Sequence, residues 1–197
     1  MSQVVISTME PQAGTPLTPA RPSRNDPAIR PMVAKSLLKP VTEWLKEPDI
    51  TPEGVMEAIE DALRHSMSRD GFDLANWLKD EYLWSADAQL VEILDGAQSE
   101  WSDAHRRMVK VWVAACNVQP KLALGAKIRL PMNLVAGSFT CVDTSPVDCE
   151  IVKIDQEQAQ YYVNSPAAGH EDYDNPSYTG RPSAIILDYE KVEAAVQ

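Results

Sequence analysis

Glycine is scarce in this chain: eight residues among 197, with neither G-x-x-x-x-G-K-[ST] nor G-x-G-x-x-G anywhere. Both phosphate-cradling loops need glycine where backbone N–H groups close on a pyrophosphate, so a nucleotide enzyme of either kind is disfavoured. Cysteine is scarcer still. Cys116, Cys141 and Cys149 are scattered and form no C-x-x-C pair, which fits a reduced, cytoplasmic protein. The longest apolar run, Val111–Cys116, is far short of the roughly 20 residues of a membrane span. The first residues, MSQVVISTMEPQ, show no basic stretch followed by a long apolar one, so no secretory signal is expected. Positive charge is also short, with 18 Lys and Arg against 29 Asp and Glu. Six basic residues face thirteen acidic ones between 51 and 119, and six face eleven beyond 120. That body repels phosphate backbones, so direct nucleic-acid binding is not expected. A basic protein partner, or a basic groove that normally holds DNA or RNA, suits it better, and a negative surface also serves solubility.

Proline is plentiful and unevenly placed. Six of the fifteen fall within residues 1–31, at 11, 16, 19, 22, 27 and 31, where they oppose both helix and sheet ladder. Few apolar groups lie between them. Residues 1–31 therefore read as a proline-rich extended or disordered arm, suited to ordering along a partner.

Residues 32–119 read as a bundle of about five helices. Met32–Lys46 has helical periodicity, with Pro40 expected to kink or split it. Thr51-Pro52-Glu53 supplies a cap, a first-turn proline and a well-placed acid for a second helix to about Met67. Asp70-Gly71 marks a turn before a short helix through Tyr82. Ser85 is the expected cap of a fourth, with Gly96 as its stop. The strongest helical pattern is Gln98–Asn117. Trp101, His105, Met108, Trp112 and Cys116 make one stripe, widened by Val109 and Val113. That stripe reads as bundle core and His105 as a packed core histidine.

Residues 120–197 read as a small antiparallel β-sheet or SH3-like barrel, so the fold class is α+β. Lys127–Leu130 is a short strand. Ser138–Asp143 and Val147–Ile154 look like a hairpin with Asp143 opposite Val147, which sets Cys141 against Cys149. A turn over Ile154–Ala159 then sets Val152 opposite Tyr161, and Ala184–Tyr189 is the last strand.

Candidate sites are few. Glu57, Asp61 and His65 recur every four residues on the solvent side of the second helix, where Glu60 can pair with Arg64. His170, Glu171, Asp172, Tyr173 and Asp174 crowd one loop, but Pro176 and Ser177 break the calcium-loop template. With Tyr178, that loop suits partner contact. Arg106, Arg107 and Lys110 form a basic cluster that Asp103 can neutralise locally. Trp84, just ahead of Ser85, is the tryptophan expected at the surface. No nucleophile stands near a base, and no metal or other cofactor is implied. The function expected is non-enzymatic: a protein–protein interaction or assembly protein, of the kind a phage virion or mobile-element complex uses. Its contacts are assigned to Glu57, Glu60, Asp61, Trp84, His170, Glu171, Asp172, Tyr173 and Tyr178, with no membrane partner. One alternative is an acidic, nucleic-acid-mimicking inhibitor of a defence or nuclease complex. Another is a metal-dependent hydrolase using His65 or the His170 loop.

Overall fold

The computed structural model describes residues 19–46, 49–66, 69–135, 143–164 and 184–196. Five helices come first. The opening helix, α1, spans Ile29–Leu45 and buries Ile29, Val33, Ala34, Leu37 and Val41 at spacings of three and four. Asp26 prepares its start by accepting the Ala28 N–H on its carboxylate at 2.9 Å. Pro40 deletes one helical hydrogen bond but does not split the element, which runs on until Lys46 turns left-handed. Thr51 caps α2 (Pro52–His65) through its hydroxyl, at 3.2 Å from the Gly54 nitrogen. Here the capping signals in the sequence hold.

Next comes α3 (Gly71–Tyr82), capped by Asp70 on the Asp73 N–H at 2.8 Å. Gly71 is its first residue rather than part of a turn. It is needed for proximity: a β-carbon there would meet the Val91 carbonyl oxygen and stand 2.7 Å from the Asp95 nitrogen. The bare backbone lets Gly71 N–H reach the Asp95 carboxylate at 2.8 Å and locks α3 against α4 (Ala88–Asp95). The cap of α4 is Asp87 and not Ser85. Its carboxylate takes the Leu90 N–H at 2.8 Å and also the Trp44 indole N–H at 3.1 Å. Those hydrogen bonds, Leu90's first, hold the Asp87 carboxyl below the usual aspartate range. Gly96, right-handed, passes the chain into α5 (Ala97–Cys116).

Beyond α5 the chain builds an antiparallel sheet. β1 (Lys127–Pro131) leads into a single turn, α6 (Met132–Val135), followed by β2 (Pro146–Asp155), β3 (Gln160–Asn164) and β4 (Ile185–Asp188). Tyr189–Ala195 then form a closing helix, α7. Strand order is β1-β2-β3-β4, and β1 and β4 do not pair, so the sheet is open rather than an SH3-like barrel. The fold is α+β, a helical bundle followed by a small antiparallel sheet. Val147 pairs with Leu130 and Cys149 with Ile128. Val147 and Cys149 thus face β1, and residues 138–142 of the expected hairpin, Cys141 among them, lie outside the described residues. The expected Val152–Tyr161 register is also corrected: Tyr161 faces Ile154, because the turn is confined to residues 156–159 and pairing starts at Asp155 and Gln160. A bulge between Ile151 and Lys153 then inserts one residue farther along. The bulge restores alternation, keeping Ile151 and Ile154 inward while Lys153 stays in solvent.

The described residues form two apolar cores. Residues of α1–α5, including Ile59, Leu74, Leu78, Leu90 and Trp101, fill the first. Leu130, Ile151, Tyr161, Val163, Tyr189 and Val192 fill the second. One helix serves both: Ala104 and Met108 of α5 pack in the first, Trp112 and Val113 against the second. The link after α5 is tied down by the Tyr161 hydroxyl. It accepts the Leu122 N–H at 3.0 Å and donates to Glu193 of α7 at 3.1 Å.

A candidate interaction site at the root of the arm

The stripe on α5 is not simply bundle core. Its three N–H-bearing side chains each donate to a main-chain carbonyl of the segment ahead of α1. Trp101 Nε1 donates to Arg24 O at 2.7 Å, His105 Nε2 to Pro22 O at 3.1 Å, and Trp112 Nε1 to Pro19 O at 2.8 Å. A carbonyl only accepts, so His105 carries its proton on Nε2. Residues 19–28 therefore form a strap that runs antiparallel to α5. His105 and Trp112 are half-buried beneath it, a correction to their reading as packed core. Arg69, left-handed at φ 57°, adds its guanidinium 3.9 Å above the Trp101 ring.

Arg21 is the anchor of the strap. Its guanidinium donates to Gln158 O at 2.7 Å and Ala159 O at 3.1 Å, both on the β2–β3 turn. It also pairs with Asp188 at 3.0 Å and Glu190 at 3.5 Å, at the passage from β4 to α7, and its side chain is only 14% exposed. Lys110 of α5 reaches Glu157 of the same turn at 2.8 Å, and Gln158 Nε2 donates to Arg106 O at 3.2 Å. Strap, bundle and sheet thus meet at one junction. Of the basic cluster on α5, Arg106 pairs with Asp103 as its spacing suggests, at 2.8 Å.

Those of the expected contact residues that are described, Glu57, Glu60, Asp61 and Trp84, lie away from this junction. Glu57, Glu60 and Asp61 line an open groove between α1 and α2 of about 510 Å³, beside Lys35, Leu38 and Met56. Asp61 is engaged locally, pairing with Arg64 at 2.8 Å and accepting the Tyr82 hydroxyl at 3.4 Å. Burial first, then the Asp61 charge, raises the Tyr82 pKa above its ordinary value. His65 stacks on Trp77, with ring centroids 5.1 Å apart, and its Nδ1 donates to Asp61 O at 3.0 Å. Among the described residues no three His, Cys, Asp or Glu side chains gather as metal ligands would. Trp84 is not at the surface; it is 6% exposed. Leu83, left-handed at φ 60°, takes the exposed position at 88% and turns Trp84 back between Trp44 and Tyr82. His170, Glu171, Asp172, Tyr173, Asp174 and Tyr178 lie outside the described residues.

No known protein family, characterised protein or solved structure matches this chain. Arg21 was missed in the sequence because nothing local marks an arginine between prolines as an anchor. One signal was available. Trp101, His105 and Trp112 on a single apolar stripe carry three N–H groups that burial obliges to find acceptors, and a helix cannot supply them.

Proposed function

We propose that this is a non-enzymatic interaction protein that joins a larger complex through its N-terminal arm and acts in the cytoplasm. The observation that carries this reading is the strap. The root of the arm is held at Pro19, beside both modules, by Trp101, His105 and Trp112 and by the ion pairs of Arg21. Anchoring of this kind lowers the entropy lost when residues 1–18 meet a partner. Among the described residues no helix is long and apolar enough to cross a membrane. The test is affinity purification, from the organism that encodes it, of the full chain and of a chain beginning at residue 19. A stoichiometric partner is expected with the full chain and not with the shorter one, at equal thermal stability. Equal recovery of the partner by both would contradict the role of the arm.

A second reading, an acidic inhibitor of a basic groove, draws support from Glu53, Glu57 and Glu60 along the α1–α2 groove. It requires a partner affinity that falls steeply with salt and falls again in a Glu57→Gln/Glu60→Gln variant.

A further inference from the structure

The strap fits α5 by spacing as well as by bonding. Trp101, His105 and Trp112 stand four and seven residues apart, about 6 and 10.5 Å along a helix. Their acceptors on Arg24, Pro22 and Pro19 stand two and three residues apart; Pro19 to Pro22 is about 9 Å along an extended proline-rich chain, and Arg24 follows at the start of the Ser23–Asp26 turn. The two rulers agree in antiparallel order. All three bonds go to main-chain carbonyls, so this face reads the conformation of its occupant rather than its side chains. Pro19 and Pro22 lack N–H groups, so binding through carbonyls alone strands no main-chain donor at those positions. Identity is read once, at Arg21, by Asp188, Glu190 and two carbonyls of the β2–β3 turn.

We infer that this face of α5, with Asp188 and Glu190, is a docking site for an extended segment of the form Pro-x-Arg-Pro. Residues 19–22 occupy it in cis, and a tail of the same chemistry on a partner protein occupies it in trans. The occupant's chemistry is taken from the segment seated there, and the net charge of −11 favours a basic tail. Because the cis segment is present at an effective concentration on the order of millimolar, the site stays closed to weak competitors. It opens to a tail held nearby by other contacts. This extends the assembly reading by naming a second attachment, but it does not depend on residues 1–18.

The probe is a synthetic peptide spanning Pro19–Ala28, added to the full-length Arg21→Ala protein, whose own strap is weakened. Saturable binding is expected, with partial recovery of the melting temperature and shifts in the indole N–H resonances of Trp101 and Trp112 but not Trp44 or Trp77. A peptide carrying Arg21→Ala should not bind, and the wild-type protein should need at least tenfold more peptide. A folded Arg21→Ala protein whose indoles ignore millimolar peptide, or respond equally to the substituted peptide, overturns the proposal. Should that variant fail to fold, an Arg21→Lys protein, which keeps one charge at Asp188 but loses the fork of donors, takes its place with the same two outcomes. Neither negative result touches the purification test, in which both chains keep the strap.

Discussion

Two residues carry stability arguments that a single substitution can check. Gly71 sits where α3 and α4 touch backbone to backbone, so a methyl group there pushes against the Val91 and Asp95 main chain as well as the Asp95 carboxylate. Gly71→Ala is expected to destabilise by about 1–3 kcal/mol, despite a gain in helix propensity of up to about 1 kcal/mol. A thermal melt that is unchanged or raised would contradict the close approach. Tyr189 is the second case. It is buried 4.3 Å, centroid to centroid, from Tyr161, and burial first, then the neighbouring Tyr161, pushes its phenol up to about 12. The unfolded phenol titrates near 10, so from about pH 10 the unfolded chain binds fewer protons than the folded one. The stabilisation is whole below pH 10 and is lost as pH rises toward 12, amounting to about 2–3 kcal/mol at about 1.4 per unit. Urea midpoints at pH 8 and pH 11 should fall apart in the wild type and lie closer together in Tyr189→Phe. Equal pH dependence in both would contradict the assignment.

For individual elements, helix starts were the most legible feature, because a cap is a local event. Thr51-Pro52-Glu53 needed only its own hydroxyl, its missing N–H and the helix dipole. Ser85 lost to Asp87 for a non-local reason: the aspartate also satisfies the Trp44 indole from α1. Strand pairing was less legible still. Val147 pairs with Leu130 of β1, seventeen residues back, and alternation alone does not say which distant apolar run a strand will face. The bulge beside Val152 shifts the register in a way periodicity cannot reveal, and α7 is only seven residues long, too short for a clear pattern. The strap was hidden most completely. Its acceptors are carbonyls, which every residue owns, and Pro19–Arg24 bears no mark of having partners. Its energetic weight is testable. Removing residues 1–18 should leave stability unchanged, whereas Arg21→Ala, which breaks two ion pairs and two hydrogen bonds to a charged group, should cost about 2 kcal/mol. Chemical denaturation of the three proteins side by side decides this. A null effect of Arg21→Ala would show that the junction is not held by the strap.

At the scale of the whole molecule, α5 is the shared axis of two cores, and the strap, Lys110–Glu157 and Gln158 join them from outside. Because these ties depend on one another, bundle and sheet should unfold in a single transition in the full chain. Removal of residues 1–28 should separate or broaden it. The account rests on the Pro19–Arg24 carbonyls being seated on α5, and indole hydrogen exchange reports on that directly. In the full chain the Nε1 protons of Trp101 and Trp112 should be protected by at least tenfold over a free indole. That protection should vanish when residues 1–28 are removed while Trp44 keeps its own. Rapid exchange of the Trp101 and Trp112 indoles in the intact protein would contradict the strap, and with it the anchored arm on which the function is argued.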